Sequence, residues 1–117
     1  MNNKILGNEG EEEATQYLIK NGYKIIERNF LCKRGEIDII AKDKNTIVFI
    51  EVKTRKSIKY GLPAEAVDEN KQKHIYKAAE YYLYKNKLEK EYVRIDVIEI
   101  YYKNDICKIN HIKKAID

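Results

Sequence analysis

Residues Gly35 to Arg55, GEIDIIAKDKNTIVFIEVKTR, leave the chain little conformational freedom. Two β-rich runs, the densest apolar stretch of the sequence, meet across Lys44-Asn45, polar residues suited to a two-residue hairpin loop. That turn pairs Asp43 with Thr46, and the register follows outward. Ala41 faces Val48, Ile39 faces Ile50 and Ile37 faces Val52, so one face is apolar and belongs to a core. On the other face Ile40 meets Phe49, Asp38 lies opposite Glu51, and Glu36 lies opposite Lys53, by the period-two rule for strands. A slip of one residue would part Asp38 from Glu51 and expose one strand's isoleucines, which argues for this register.

Cross-strand neighbours have Cβ atoms about 5 Å apart, and like charges directly opposite destabilise a sheet. The Asp38–Glu51 repulsion therefore wants an offset. Mg²⁺ or Mn²⁺ would supply it, because Mg²⁺ is held through one or two carboxylates with other positions left to water and phosphate oxygens. Lys53 emerges on the same face and is placed to orient a water or to stabilise developing phosphorane charge. The competing view is an ordinary polar patch in which Lys53 neutralises both carboxylates, since structural ion clusters mimic active sites.

Asp38, twelve intervening residues and then Glu51-Val52-Lys53 resemble the D…(D/E)-x-K signature of the restriction-endonuclease-like nucleases. More closely, the chain resembles the YraN family of small bacterial proteins, relatives of Holliday junction resolvases. The matching segments are Gly10-Glu11-x-x-Ala14, Gly22-Tyr23, Arg28-Asn29, Gly35 to Asp38, Val48 to Lys53 with Arg55, Lys71-Gln72-Lys73-x-Ile75 and Val93 to Val97. They run over nearly the full length to about Ile98. Ile37 stands where the wider superfamily often has proline, a departure it tolerates.

The resemblance implies metal-dependent hydrolysis of a nucleic-acid phosphodiester, DNA more than RNA. In that reading Asp38 and Glu51 hold the metal, and Glu11 is a further ligand or water-orienting group. Spacing supports a role for Glu11, because positions 11, 14 and 18 lie on one helical stripe and a carboxylate on a core-facing stripe wants a partner. Spacing alone leaves a solvent-facing helix edge equally open. Lys71 matches the family's helix lysine, with a phosphate contact implied. Because related resolvases act as dimers on four-way junctions, a homodimer is among the implied partners, although no stripe in the sequence marks its face.

The 117 residues suit one domain, and 36% charged with 44% hydrophobic residues describe a globular chain rather than a disordered one. A net charge of +4 permits a nucleic-acid partner without demanding one. Cys32 and Cys107 stand without CxxC spacing beside only two histidines, so no zinc motif is present; they read as small buried hydrophobes. Reduced cysteines and the lack of an apolar signal segment point to the cytoplasm, and no run approaches the ~20 apolar residues of a membrane span.

In chain order, a first helix is expected from about Gly7 to Asn21, capped by Gly22. Its acidic start, Glu9 with Glu11 to Glu13, complements the macrodipole. A strand follows over Tyr23–Phe30, then a turn at Lys33-Arg34-Gly35 and the central hairpin. Lys53 to Lys59 carries four cations in seven residues beside the proposed site. Arg55 shares the face of Glu51 and Lys53, and with Lys56, Arg34 and Lys71 it is a candidate for backbone phosphate contact; a solvated edge explains Lys56 and Lys59 as well. A long helix from Pro63 or Asp68 to Asn86 turns Val67, Lys71, His74, Ile75, Ala78, Ala79, Tyr82 and Leu83 inward.

A second hairpin around Lys103-Asn104 pairs Glu99 with Lys108, Ile98 with Ile109 and Asp96 with His111, and Lys113 to Asp117 are expected to fray. Asp96 and His111 read as structural. The order helix, three strands, helix, two strands predicts an α/β domain of the restriction-endonuclease-like kind, a mixed, largely antiparallel five-stranded sheet flanked by helices. A nucleic-acid-binding module without turnover and a purely structural protein are the alternatives; the first predicts salt-dependent binding without cleavage, the second neither.

Overall fold

The computed structural model describes residues 3–55 and 69–116. Its elements are α1 (Asn3–Lys20), β1 (Lys24–Cys32), β2 (Gly35–Asp43), β3 (Thr46–Arg55), α2 (Glu69–Lys85), β4 (Tyr92–Lys103) and β5 (Ile106–Ile116). The five strands form one sheet in the order β1-β2-β3-β4-β5. Only β3 and β4 run parallel; the other neighbours are antiparallel. A parallel neighbour needs a crossover connection, and α2 lies between β3 and β4 in the chain. The sheet is thus mixed and largely antiparallel, as the element order predicts.

Each face of the sheet is a core. On one, Ala14 and Leu18 of α1 pack with Ile39, Ala41, Val48, Ile50, Ile98 and Ile100. On the other, Ile75, Ala78, Ala79 and Tyr82 of α2 pack with Ile40, Ile47, Phe49, Ile95 and Val97. This explains the unbroken apolar run Ile47–Ile50, which a sheet exposed on one side would have interrupted with polar residues. The tyrosine ring of Tyr82 stands edge-on to both Phe30 and Phe49.

Both helices end by the same device. Gly22 adopts φ +87°, Tyr23 N–H donates to the Leu18 carbonyl at 2.9 Å and Gly22 N–H to that of Ile19 at 3.1 Å. This Schellman closure satisfies carbonyls that a helix end otherwise leaves bare. Lys87, at φ +56°, takes the glycine's role after α2, with Leu88 N–H donating to the Leu83 carbonyl at 2.8 Å.

Several expectations give way. Helix α1 begins at Asn3, so Glu9, Glu12 and Glu13 lie beyond its first turn, where the macrodipole no longer acts strongly. Glu12 instead accepts from Arg28 Nη1 at 2.8 Å and Gln16 Nε2 at 3.0 Å. His74 is exposed rather than inward. Its backbone carbonyl is what faces β2, where a Cβ on Gly35 would come within 2.7 Å of the His74 oxygen. Val67 and the proposed start of the long helix lie outside the described residues.

The second hairpin is shifted by two. Asn104 and Asp105, both at positive φ (50° and 62°), form the turn, so Ile98 pairs with His111, Glu99 with Asn110 and Tyr101 with Lys108. Two consecutive left-handed residues suit the twist of a tight hairpin, and that preference decides between Lys103-Asn104 and Asn104-Asp105. The end of β5 does not fray. Lys114 N–H donates to Asp96 Oδ1 at 2.9 Å and Ile116 is buried.

Candidate functional site

The central hairpin follows the expected register from Asp43–Thr46 to Ile39–Ile50, where its ladder ends. Beyond that point Val52 N–H donates to Asp38 Oδ2 at 2.8 Å. A side-chain carboxylate thus takes the bond that a backbone carbonyl would have taken. Neither Asp38 with Glu51, Glu36 with Lys53, nor Ile37 with Val52 is a ladder pair, in contrast to the sequence reading. The reason is a change of face: Arg28 pairs with Ile39 and Phe30 with Ile37, yet Ile39 packs on the α1 side and Phe30 and Ile37 on the α2 side. The residues between them are Asn29, at φ +54°, and Asp38. A left-handed non-glycine residue within a strand is uncommon, and here it accompanies the turnover that leaves Asp38 at the open end of the sheet.

Glu51 continues the Ile47, Phe49 side of β3, facing α2, and is only 8% exposed. Its carboxyl and that of Asp38 lie close enough to interact directly. Burial and then the Asp38 charge push Glu51 up to about 7, against the pull of Lys71. Burial likewise raises Asp38, although the Val52 N–H works the other way. Lys71 reaches down from the first turn of α2 and brings Nζ within 3.3 Å of Glu51 Oε1, its side chain 45% exposed. Burial disfavours its charge, but Glu51, with Asp38 and Glu36, more than restores it and its pKa rises.

Glu11 approaches from α1. It is half-buried, as its stripe with Ala14 and Leu18 predicts. Burial first, then the Asp38 charge, raises its pKa, while an Asn29 side-chain hydrogen bond favours the ionised form. Gly10 lets the helix come this close, because a Cβ there would run into Thr54 Oγ1 of β3. Gly10→Ala is therefore expected to cost roughly 1–3 kcal/mol by overpacking, read from urea unfolding. A change under 0.5 kcal/mol would show that the Thr54 hydroxyl turns aside or the helix shifts freely.

Lys53 is half-buried two residues along from Glu51 and pairs in register with Glu99 of β4. Glu99 is a buried carboxylate that the sequence reading assigned to Lys108. It is 1% exposed and accepts from Asn110 Nδ2 at 2.8 Å and Arg55 Nη2 at 3.5 Å. Its position beside the site comes from the parallel β3–β4 register, which no local pattern announces. Arg55 is thereby held on the Lys53 face, Arg34 is exposed at the β1–β2 turn, and Lys56 lies outside the described residues. Asn29 is the other residue that no local pattern assigns: the sequence marks the Arg28-Asn29 dipeptide, while the link to Glu11 appears only in the fold.

The donor set fits a hard divalent cation. Two carboxylates, one almost fully buried, supply the oxygen ligands that Mg²⁺ and Mn²⁺ take, and an ammonium already serves them as a cation. Among the described residues no group of three or more His, Cys, Asp or Glu side chains converges as a metal cage. Glu11 stands beside the pair as a neighbouring charge. His111 and Asp96 face the α1 side in a separate network.

The model of the uncharacterised protein family UPF0102 matches residues 10–100, a span that takes in Glu11, Asp38, Glu51, Lys53 and Lys71. The chain belongs to this family. A UPF0102 protein of Caldicellulosiruptor saccharolyticus is 52% identical over 98% of this chain and 99% of its own. The UPF0102 relative from Caldanaerobacter subterraneus is 51% identical over 98% and 97%, and that from Clostridium tetani 52% over 97% and 94%. The YraN-type resemblance read from the sequence thus holds over nearly the full length of this UPF0102 protein. The solved structure of SSO0001 aligns with all of this chain and 55% of its own at 23% identity and a TM-score of 0.39, a loose likeness. Among the described residues no helix is long and apolar enough to cross a membrane.

Proposed function

We propose that this UPF0102 protein is a metal-dependent endonuclease of the restriction-endonuclease-like kind that hydrolyses DNA phosphodiester bonds, branched DNA among them. The observation that carries the reading is the Asp38–Glu51 pair: two interacting carboxyls, Glu51 buried, at a sheet end where both helices add charge. Burying like charges is costly, and stability alone gives no reason to keep them.

Asp38 and Glu51 would hold Mg²⁺ or Mn²⁺, with Glu11 beside them as an additional ligand or water-orienting group. When bound, the metal polarises a phosphoryl oxygen and makes a bound water more acidic. Lys53, on the same face as Glu51, orients the attacking water and stabilises charge on the phosphorane oxygens. Hydrolysis forms one P–O bond to the water oxygen and breaks one to the leaving sugar oxygen, which takes up a proton. Arg55, Arg34, Lys56 and Lys71 engage backbone phosphates, which position a nucleic acid without reading its sequence.

The test is Mg²⁺- and Mn²⁺-dependent cleavage of labelled four-way, flap, nicked and linear DNAs, with Asp38→Ala and Glu51→Ala in parallel. Metal catalysis supplies several kcal/mol of transition-state stabilisation, so each variant is expected to lose on the order of a hundredfold or more in rate. Cleavage that survives both substitutions would sink the reading. A second reading, DNA binding without turnover, is favoured by one observation: Lys71 already neutralises Glu51. Salt-dependent binding of branched DNA with no cleavage at any metal concentration would decide for it.

A further inference from the structure

We propose that Lys71 is a tethered counter-ion that occupies the cation position of the Asp38–Glu51 pair, and that a divalent metal binds there only by displacing it. The inference rests on the metal-site reading above and adds to it an internal competitor. Its basis is geometric. The Lys71 ammonium lies 3.3 Å from Glu51 Oε1, close enough to exclude a second cation from that oxygen.

Glu51 is held by its strand and nearly buried, whereas Lys71 is 45% exposed. The lysine is the partner that can move. It stands in the first turn of α2, on a flexible stem of four carbons. One of Asp38's oxygens is already engaged by the Val52 N–H, so the Glu51 oxygen that Lys71 contacts is among the few left to a ligand.

Two consequences follow for how the site loads. Metal affinity in the free protein is lower than two carboxylates would otherwise give, because the ammonium must leave first. A phosphodiester near the pair offers that ammonium a new partner, so metal and DNA favour each other's binding by linkage through one side chain. The same residue that silences the empty site then holds substrate in the loaded one.

Mn²⁺ titration of the full chain, followed by calorimetry and by the electron paramagnetic resonance of free Mn²⁺, tests this without any catalytic assay. Lys71→Met keeps the length of the side chain and removes its charge. It is expected to bind Mn²⁺ at least ~10-fold more tightly than the parent, since the competing charge beside the carboxylates is gone. Lys73→Met, an exposed lysine two positions along the same helix, is expected to match the parent within about twofold, which separates displacement from the loss of general positive charge. Lys71→Arg, which retains the charge, is expected to stay near the parent. Lys71→Gln provides the same comparison should the methionine variant fail to fold.

Parent and Lys71→Met binding Mn²⁺ equally, or the variant binding more weakly, would overturn the counter-ion role while leaving the metal site intact. Binding by neither would overturn the metal site itself, and the counter-ion role with it. In the presence of an uncleavable phosphorothioate duplex, the parent's Mn²⁺ affinity is expected to rise more than that of Lys71→Met. An equal rise in both would remove the linkage.

Discussion

Asp96→Ala is expected to destabilise the protein by about 3–5 kcal/mol, the range measured when one partner of a buried, hydrogen-bonded charge pair is removed. Asp96 is 0% exposed. It accepts from Arg94 Nε at 2.8 Å and Nη2 at 3.1 Å, from His111 Nε2 at 2.7 Å and from Lys114 N–H at 2.9 Å. A carboxylate accepts only, so with a neutral ring the His111 Nε2–H is the donor and Nδ1 accepts from the Tyr17 hydroxyl at 3.0 Å. Arg94 continues outward to Tyr23 at 2.9 Å and Asp43 at 3.4 Å. Asp96 thus ties β4 to the end of β5 directly, and through His111 and Arg94 it reaches α1 and the far end of the central hairpin. Guanidinium chloride unfolding at pH 7 measures the loss, and a cost below 1 kcal/mol would show that the network is replaceable by water.

The pH dependence has a definite sign. Burial alone would raise the pKa of Asp96, but the His111, Arg94 and Lys114 bonds hold it below its ordinary 3.8. A carboxyl depressed in the folded state adds stability above its unfolded pKa and loses it as pH falls through the folded one. The gap between parent and Asp96→Asn is therefore expected to be constant from pH 7 down to about 4 and to close below that.

Local chemistry made much of this fold legible. The Gly22 cap, the Asp43–Thr46 turn and the α2 stripe Ile75, Ala78, Ala79, Tyr82 are all short-range signals, and all hold. The failures concern information that is not local. The alternation rule has no means of knowing that β2 turns over at Asp38, because the left-handed residue that accompanies the turnover, Asn29, sits on another strand. It places Ile37 with Ile39, whereas the two serve different cores. The contact between Asp38 and Glu51 survives this error for a different reason from the one that predicted it: their side chains meet where the strands part, not across a ladder.

The second hairpin shows the same division. Choosing between two adjacent turns displaced the register by two, which preserves the faces of every residue but changes its partner. Asp96 and His111 still meet, diagonally, while Glu99 loses Lys108 and gains Asn110 and Arg55. Side-chain type and face were legible; partner identity across β3 and β4 was not, because a parallel register is set by the whole crossover.

On the metal-nuclease reading proposed above, Glu51→Gln is expected to make the metal-free protein more stable at pH 8 while removing cleavage. Gln mimics the neutral carboxyl, which the folded protein prefers: burial and Asp38 push Glu51 up from 4.5 to about 7. A carboxyl raised in the folded state binds more protons there than when unfolded, so stability falls as pH climbs from about 4.5 through 7. A shift of that size corresponds to roughly 3 kcal/mol above pH 7, and to nothing below pH 4.5. The variant's advantage is therefore expected to grow across that window and to vanish at pH 4. Mn²⁺ at a thousand times its dissociation constant should reverse it, because a metal that binds only the folded parent then stabilises it by about 4.1 kcal/mol. Thermal melts of parent and variant at pH 4, 6 and 8, each with and without Mn²⁺, carry the whole comparison. An ordinary salt-bridged surface patch predicts the opposite, a variant no more stable at any pH and indifferent to metal. Stability gained on neutralising a residue, together with activity lost, is what distinguishes a charge retained for chemistry from one retained for structure.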